Sequence, residues 1–207
     1  MALLNDLTLA QIFTRILAFL VIIGLHGMFV AGLARLLGDP TPGYNERLTL
    51  NPVSHLVLWA MAMAVLFEMF WIKAIKIRTE NLRLGRFGLV LIALGALALT
   101  LAVAPLLDLV RPYVPVYLPR SAALVTLSII LQIQDMAIWF VALNWLPVPV
   151  LTGQLMLFAL WPKAEALSHR YRNFAITLIG VAIVAGFMHP VISPIHDALA
   201  TLVLGET

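Results

Sequence analysis

The chain has 207 residues, 62% of them hydrophobic and only 11% charged, with a formal net charge of +3. A soluble domain carries about 25% charged residues, so a sizeable soluble domain is excluded and a single polytopic membrane domain, 1–207, is expected. The absence of cysteine rules out disulfides and thiolate metal sites. The small positive balance gives no case for a nucleic-acid partner and reports orientation in a membrane instead.

The apolar runs predict an all-α fold with five membrane-scale helices. The first covers about 9–37. Asn5 and Asp6 stand where a signal peptide carries basic residues, and no small-residue cleavage site follows, so this segment is expected to stay as a helix. Gly24, Gly27 and Gly32 along it suggest the close approach of another helix, from the fold or from a partner. Residues 38–54 are the one long polar stretch, punctuated by Pro40, Pro42, Gly43 and Pro52, with Arg47 to Leu50 as a short strand-like run. The second segment covers about 55–77, the third about 87–107 with Gly88 and Gly95 as small residues, and the fourth about 122–143. Pro147 and Pro149 then break the chain, and 150–161, half as long as a span, reads as a re-entrant or short helix. The last segment, about 174–188, is short for a crossing that needs roughly 20 residues. The tail from 192 to 204 has the makings of a short interfacial helix.

Basic residues gather in two loops. One holds Lys73, Lys76, Arg78, Arg83 and Arg86 against Glu80; the other holds Lys163, Arg170 and Arg172 against Glu165. The connection between them has only Arg111 and Arg120, with Asp108. The positive-inside rule puts both basic loops in the cytoplasm and, with two crossings before residue 73, the N-terminus there too. Trp71, Trp145 and Trp161, near segment ends, read as interface anchors. His189 and His196 read as interfacial residues and His169 as part of a solvated basic face.

Several motifs stand out in this apolar background. Asn144 to Gly153 reads N-W-L-P-V-P-V-L-T-G, and His26 to Ala31 reads H-G-M-F-V-A, followed by Gly38-Asp39-Pro40-Thr41-Pro42. Arg47 to Pro52 reads R-L-T-L-N-P, with His55 three residues on. In that order these resemble the N-x-x-P-x-P-x-L-D-G segment, the H-E-x-x-H helix, the G-D-P-T-P loop and the R-L-T-L-N-P-x-x-H region of the site-2 protease family of intramembrane zinc metallopeptidases. Trp71 to Ile75 sits where many members read G-W-x-K-P-V, keeping the tryptophan and lysine, and Leu94 to Leu99 keeps little of A-G-P-x-A-N. The resemblance implies a site-2-protease-like helical core with a small β element after the first helix. It also implies a bacterial inner membrane as the location.

In that family two histidines one helical turn apart and a later aspartate hold zinc, while the glutamate between the histidines serves as general base. Here only His26 remains. Gly27 replaces the base, Val30 the second histidine and Thr152 the aspartate, leaving vestigial positions and no catalytic residue. Zinc, and any other cofactor, is not expected on this set, because a lone imidazole does not hold zinc where catalytic sites use three protein ligands. The alternative is a rewired zinc site from His26, Asp135 and Glu68, or His55. Otherwise each carboxylate pairs locally, Glu68 with Lys73 or Asp135 with Gln132. Intramembrane carboxylates usually face an interior or a water-filled cavity, so Asp135 is expected to hydrogen-bond His26 or its neighbours and to form a small polar pocket with Asn144. Three functions follow: a proteolytically inactive scaffold, adaptor or accessory subunit that binds lipids and other integral membrane proteins; a rewired intramembrane metallopeptidase; or, on weaker grounds, a transporter built on the buried polar groups.

Overall fold

A computed structural model describes residues 7–205, so the reading of Asn5 and Asp6 lies outside the described residues. The chain is all-α: no strand forms among the described residues. In order the helices are α1 (Leu9–Leu36), α2 (Thr41–Tyr44), α3 (Leu58–Phe67), α4 (Phe87–Leu101), α5 (Val103–Val110), α6 (Val114–Tyr117), α7 (Arg120–Asn144), α8 (Gln154–Leu160), α9 (Lys163–Arg170), α10 (Arg172–Val184) and α11 (His189–Leu204). Among the described residues three helical stretches are long and apolar enough to cross a membrane: Leu9–Leu36, Phe87–Tyr117 and Arg120–Asn144. A fourth is present if α10 and α11, bent by 82° at their junction, count as one broken span.

α1 opens on a reciprocal cap: Thr8 Oγ1 accepts from the Gln11 N–H, and the Gln11 side chain accepts from the Thr8 N–H. It closes where Gly38 turns to φ +112°, letting the Asp39 N–H reach back to the Ala34 carbonyl at 2.9 Å. Its inner face, including Ala18, Phe19, Ile22, Ile23, Val30 and Ala34, is buried. α4 and α7 pack along this face. α4 runs antiparallel to α1: Thr100 meets His26, while the Leu33 side chain lies beside Gly95. α7 runs parallel to it, with Gln132 near the Arg15 level and Phe140 against His26.

The expected second span, 55–77, does not form. α3 is only 10 residues long and ends at Glu68, which takes the left-handed conformation at φ 60°. Its last turn sits at the Arg15 level, where Arg15 Nη1 donates to the Val65 carbonyl at 2.6 Å and Nη2 pairs with Glu68 at 2.8 Å. From there the chain returns in extended form. Phe70 packs on Phe19 and Phe140, the Lys73 N–H donates to the His55 carbonyl at 2.9 Å, and the Arg78 N–H reaches Asp39. The segment is thus a re-entrant hairpin that goes in along α1 as a helix and comes back beside it as extended chain. Non-helical backbone at that depth is tolerable only when buried in protein, and Met69, Phe70, Trp71 and Ile72 are buried. Trp71 is therefore a core residue and not an interface anchor, whereas Trp145 and Trp161 remain exposed.

The expected β element is also absent among the described residues. Residues 48–50 run as bends and Pro52–His55 as a single 3-10 turn. A strand needs a neighbour with free peptide groups, and the backbone alongside is α1, whose groups are consumed in its own helix. The Arg47 guanidinium instead ties this loop together, donating to the carbonyls of Ser54 and Lys73.

Orientation needs the same correction. The Arg83 N–H donates to the Leu37 carbonyl at 2.8 Å, which seats the 73–86 loop at the C-terminal end of α1. With 28 residues at about 1.5 Å each, α1 separates that loop from its own first turn by about 42 Å. If α1 crosses the membrane, its first turn and the 73–86 loop lie on opposite sides and are not both cytoplasmic. The two basic loops do share one end: Arg86 Nη1 donates to the Phe158 carbonyl at 3.1 Å, and Lys76, His169 and Arg172 line one cleft.

Asp39 fastens that end. Its buried carboxylate accepts from the Thr41 N–H and hydroxyl, the Arg78 N–H and Asn81 Nδ2. Burial alone would raise its pKa, but the donors at Asn81, Thr41 and Arg78 outweigh that and hold it below the usual carboxylate range. A depressed folded value means that this stabilisation is complete above about pH 4, the unfolded value, and is lost as pH falls through the folded one. Asp39→Asn should lower the unfolding temperature in detergent at neutral pH and remove that portion of the acid sensitivity.

Candidate functional site

His26 lies at the middle of α1 and is fully buried, as are Asn144 and His55. Its Nδ1 is 2.8 Å from Thr100 Oγ1 on α4, and its Nε2 is 2.8 Å from Thr152 Oγ1 just before α8. Thr100 Oγ1 is also 2.7 Å from the Ala96 carbonyl, which can only accept. The Thr100 hydroxyl proton is therefore spent on Ala96, and Thr100 accepts from His26 Nδ1–H. Nε2 then carries the lone pair and Thr152 donates to it. The proton order runs Thr152 to His26 to Thr100 to Ala96, around a neutral imidazole whose two nitrogens are both satisfied.

Asn144 fixes Thr152. Its Nδ2 donates to the carbonyls of Phe70 and Phe140, both at 2.9 Å, and its Oδ1 accepts from the Thr152 N–H at 3.3 Å. The Asn144 carbonyl accepts the Gly153 N–H at 2.8 Å. One amide thus holds the end of α7, the returning arm of the hairpin and the turn that carries Thr152. That turn is tight. Val150 sits at φ 84°, rare for a β-branched residue, and a Cβ on Gly153 would overlap the Leu146 carbonyl.

Gly27 has an equally definite role. A Cβ there would overlap the His55 ring, so the volume in which a residue-27 side chain would begin is filled by His55. His55 Nε2 donates to the Thr49 carbonyl at 3.0 Å, while Nδ1 has no partner among the described residues. Gly24 does the same for backbone, since its Cβ would come within 2.7 Å of the Leu50 carbonyl. These two glycines receive an irregular loop, not the helix expected from their spacing, and Gly32 has nothing within 4 Å of its Cβ position.

The other candidate ligands are elsewhere. Glu68 pairs with Arg15 at 2.8 Å and accepts from Gln132 Nε2 at 3.0 Å, not from Lys73. Asp135 was expected to bond His26 or its neighbours or Gln132; it instead bonds His196 Nε2 at 3.0 Å. Its position on α7 turns it toward α11, away from the face that packs on α1. The expected polar pocket of His26, Asp135 and Asn144 is replaced by a filled network in which Thr152 links His26 to Asn144. Among the described residues no group of three or more histidine, aspartate or glutamate side chains is placed to hold a metal ion. The donor set does not fit zinc: both His26 nitrogens are engaged by hydroxyls, Val30 offers hydrocarbon, and the candidate carboxylates Glu68 and Asp135 are paired with other groups. Sequence reasoning missed Thr100, which lies one position beyond the stretch compared with A-G-P-x-A-N, and missed the pairing of Asp135 with His196, 61 residues away. No family model, curated protein or solved structure matches the chain.

Two substitutions probe this site. Thr152→Val leaves His26 Nε2 buried without a donor, and should cost about 1–3 kcal/mol in detergent unfolding, whereas Thr152→Ser should recover most of that. Gly27→Ala forces the His55 ring out of a packed seat and should cost at least as much as ordinary overpacking, about 1–3 kcal/mol. Its thermal unfolding midpoint would show this directly.

Proposed function

We propose that the protein is a proteolytically inactive member of the site-2 protease fold that acts as a membrane scaffold, adaptor or accessory subunit. Its role is to hold a transmembrane helix or unwound segment of another integral membrane protein, in a bacterial inner membrane as the resemblance implies. The observation that carries this reading is the engagement of both His26 nitrogens by Thr100 and Thr152, at 2.8 Å each, in place of a metal. The His55 ring, lying where a general base at position 27 would begin, supports it further.

A binding role has its own support. A cleft of about 290 Å³ lies between residues 74–79 and the α8–α9 pair, with Lys76, His169 and Arg172 at its polar lining. Along it, the backbone groups of 74–77 are extended and make no hydrogen bond among the described residues. Unpaired extended backbone beside a cleft suits an unwound segment of a partner.

The test is metal content and proteolysis together. Protein purified in mild detergent without chelators should carry zinc well below one equivalent and leave membrane substrates uncut, with or without added zinc. Stoichiometric zinc accompanied by cleavage that is lost in His26→Ala would overturn the proposal.

A further inference from the structure

α11 is joined to α7 by a charged contact that its apolar surroundings make conspicuous. His196 Nε2 lies 3.0 Å from Asp135 Oδ1 on α7, and its Nδ1 lies 3.0 Å from Asp197 Oδ1 on its own helix. Carboxylates only accept, so an imidazole facing one with each nitrogen satisfies both contacts only when both nitrogens carry protons. As a neutral ring it has a single N–H, and one contact would set a ring lone pair against a carboxylate oxygen. The ring also stacks on Trp139 of α7 at 4.3 Å between centroids and 22° between planes, the arrangement in which a cation gains from the indole face. His189 lies on the same indole at 5.3 Å.

This contact sits beyond a joint. α10 and α11 meet at 82°, around Gly186 at φ 79°, and Pro194 inside α11 cannot donate a backbone hydrogen bond to the preceding turn. α11 packs on α7 and α5 and, through Ile195 and Leu199, lines one side of a cavity of about 490 Å³ whose other lining includes Leu97, Leu101, Val141 and Trp145. Leu97 and Leu101 flank Thr100 along α4, and Val141 follows Phe140, so the cavity borders the His26 network.

We infer that α11 is a hinged lid over this cavity, and that protonation of His196 locks it to α7 through Asp135 and Trp139. Few other charges bear on the lock. Asp197 and His189 share its helix, α5 contributes Asp108, already paired at 2.8 Å with Arg111 just beyond its end, and the Arg15–Glu68 pair lines a second cavity that Trp139 also lines. The lock holds on the acid side of histidine titration and weakens as pH rises, because the second N–H is the one lost.

The chain has no cysteine, which makes the lid directly measurable. Spin labels on Leu202→Cys and Leu124→Cys, both exposed positions on α11 and α7, report their separation in full-length protein reconstituted in nanodiscs. Raising pH from about 5.5 to about 8.5, across the ordinary histidine range, should shift the distance distribution toward a longer population that grows several-fold. In His196→Gln and Asp135→Asn the distribution should be the same at both pH values. A merely structural contact would change the mean distance in the variants without creating or removing a pH dependence. An unaltered protein whose distribution does not move with pH, or a transition that persists in either variant, would overturn the lid.

Discussion

The constraint on which the rest of this molecule depends is that a peptide group left unpaired inside an apolar bundle is costly. Helices satisfy it internally; the extended arm after Glu68 cannot. Three of its groups find partners one at a time: the Phe70 carbonyl at Asn144, the Lys73 carbonyl at Arg47 and the Lys73 N–H at the His55 carbonyl, whereas residues 74–77 run unpaired, among the described residues, along the cleft beside α8 and α9. Each partner is itself buried or anchored. This is why polar residues at widely separated positions converge around one short segment, and why most of them would be costly to replace with hydrocarbon of the same size.

Two glycines make the convergence possible. Gly24 and Gly27 remove side chains from the one face of α1 where the 50–55 loop arrives, so that a carbonyl and an imidazole can lie against the helix surface. With the loop so close, His26 on the same helix is sealed from solvent, and a sealed imidazole needs a partner at each nitrogen. Thr100 and Thr152 are short, uncharged and able to donate or accept, which is what a neutral ring in a low-dielectric site requires. Three elements, α1, α4 and the turn before α8, are thereby tied at one point by hydrogen bonds that need no charge.

Much of the fold was legible because hydropathy reports long apolar helices directly. α1, α4 and α7 fall where the apolar runs put them, and the proline break at 147–149 does precede a short helix. The re-entrant hairpin was not legible, since the run from His55 to Ile77 is long enough to cross and, before Lys73, only Glu68, a carboxylate in a left-handed turn, interrupts it. Counting that run as a crossing then put the first turn of α1 on the same side as the 73–86 loop, whereas the two lie at opposite ends of that helix. At the site, the motifs name His26, Gly27, Asn144 and Thr152, and the fold brings His26, Thr152 and Asn144 into one hydrogen-bonded network with Gly27 beside it. What spacing cannot carry is direction around a helix: Asp135 and Asn144 share α7, yet one bonds α11 and the other the hairpin.

The same residue type plays opposite parts in the two polar centres, and the partners decide which. His26 meets hydroxyls, which can supply or take a proton, so the neutral ring satisfies both of its nitrogens and charging it would bury a cation with no counter-ion. His196 meets two carboxylates, which can only accept, so the neutral ring is the form left with a mismatch. A buried hydroxyl pair therefore makes a tie whose strength does not depend on pH, and a carboxylate pair makes one that does. The division follows location. The pH-indifferent tie holds the core helices together, whereas the pH-dependent one fastens α11, the element that meets α10 at a sharp bend and packs on α7 and α5.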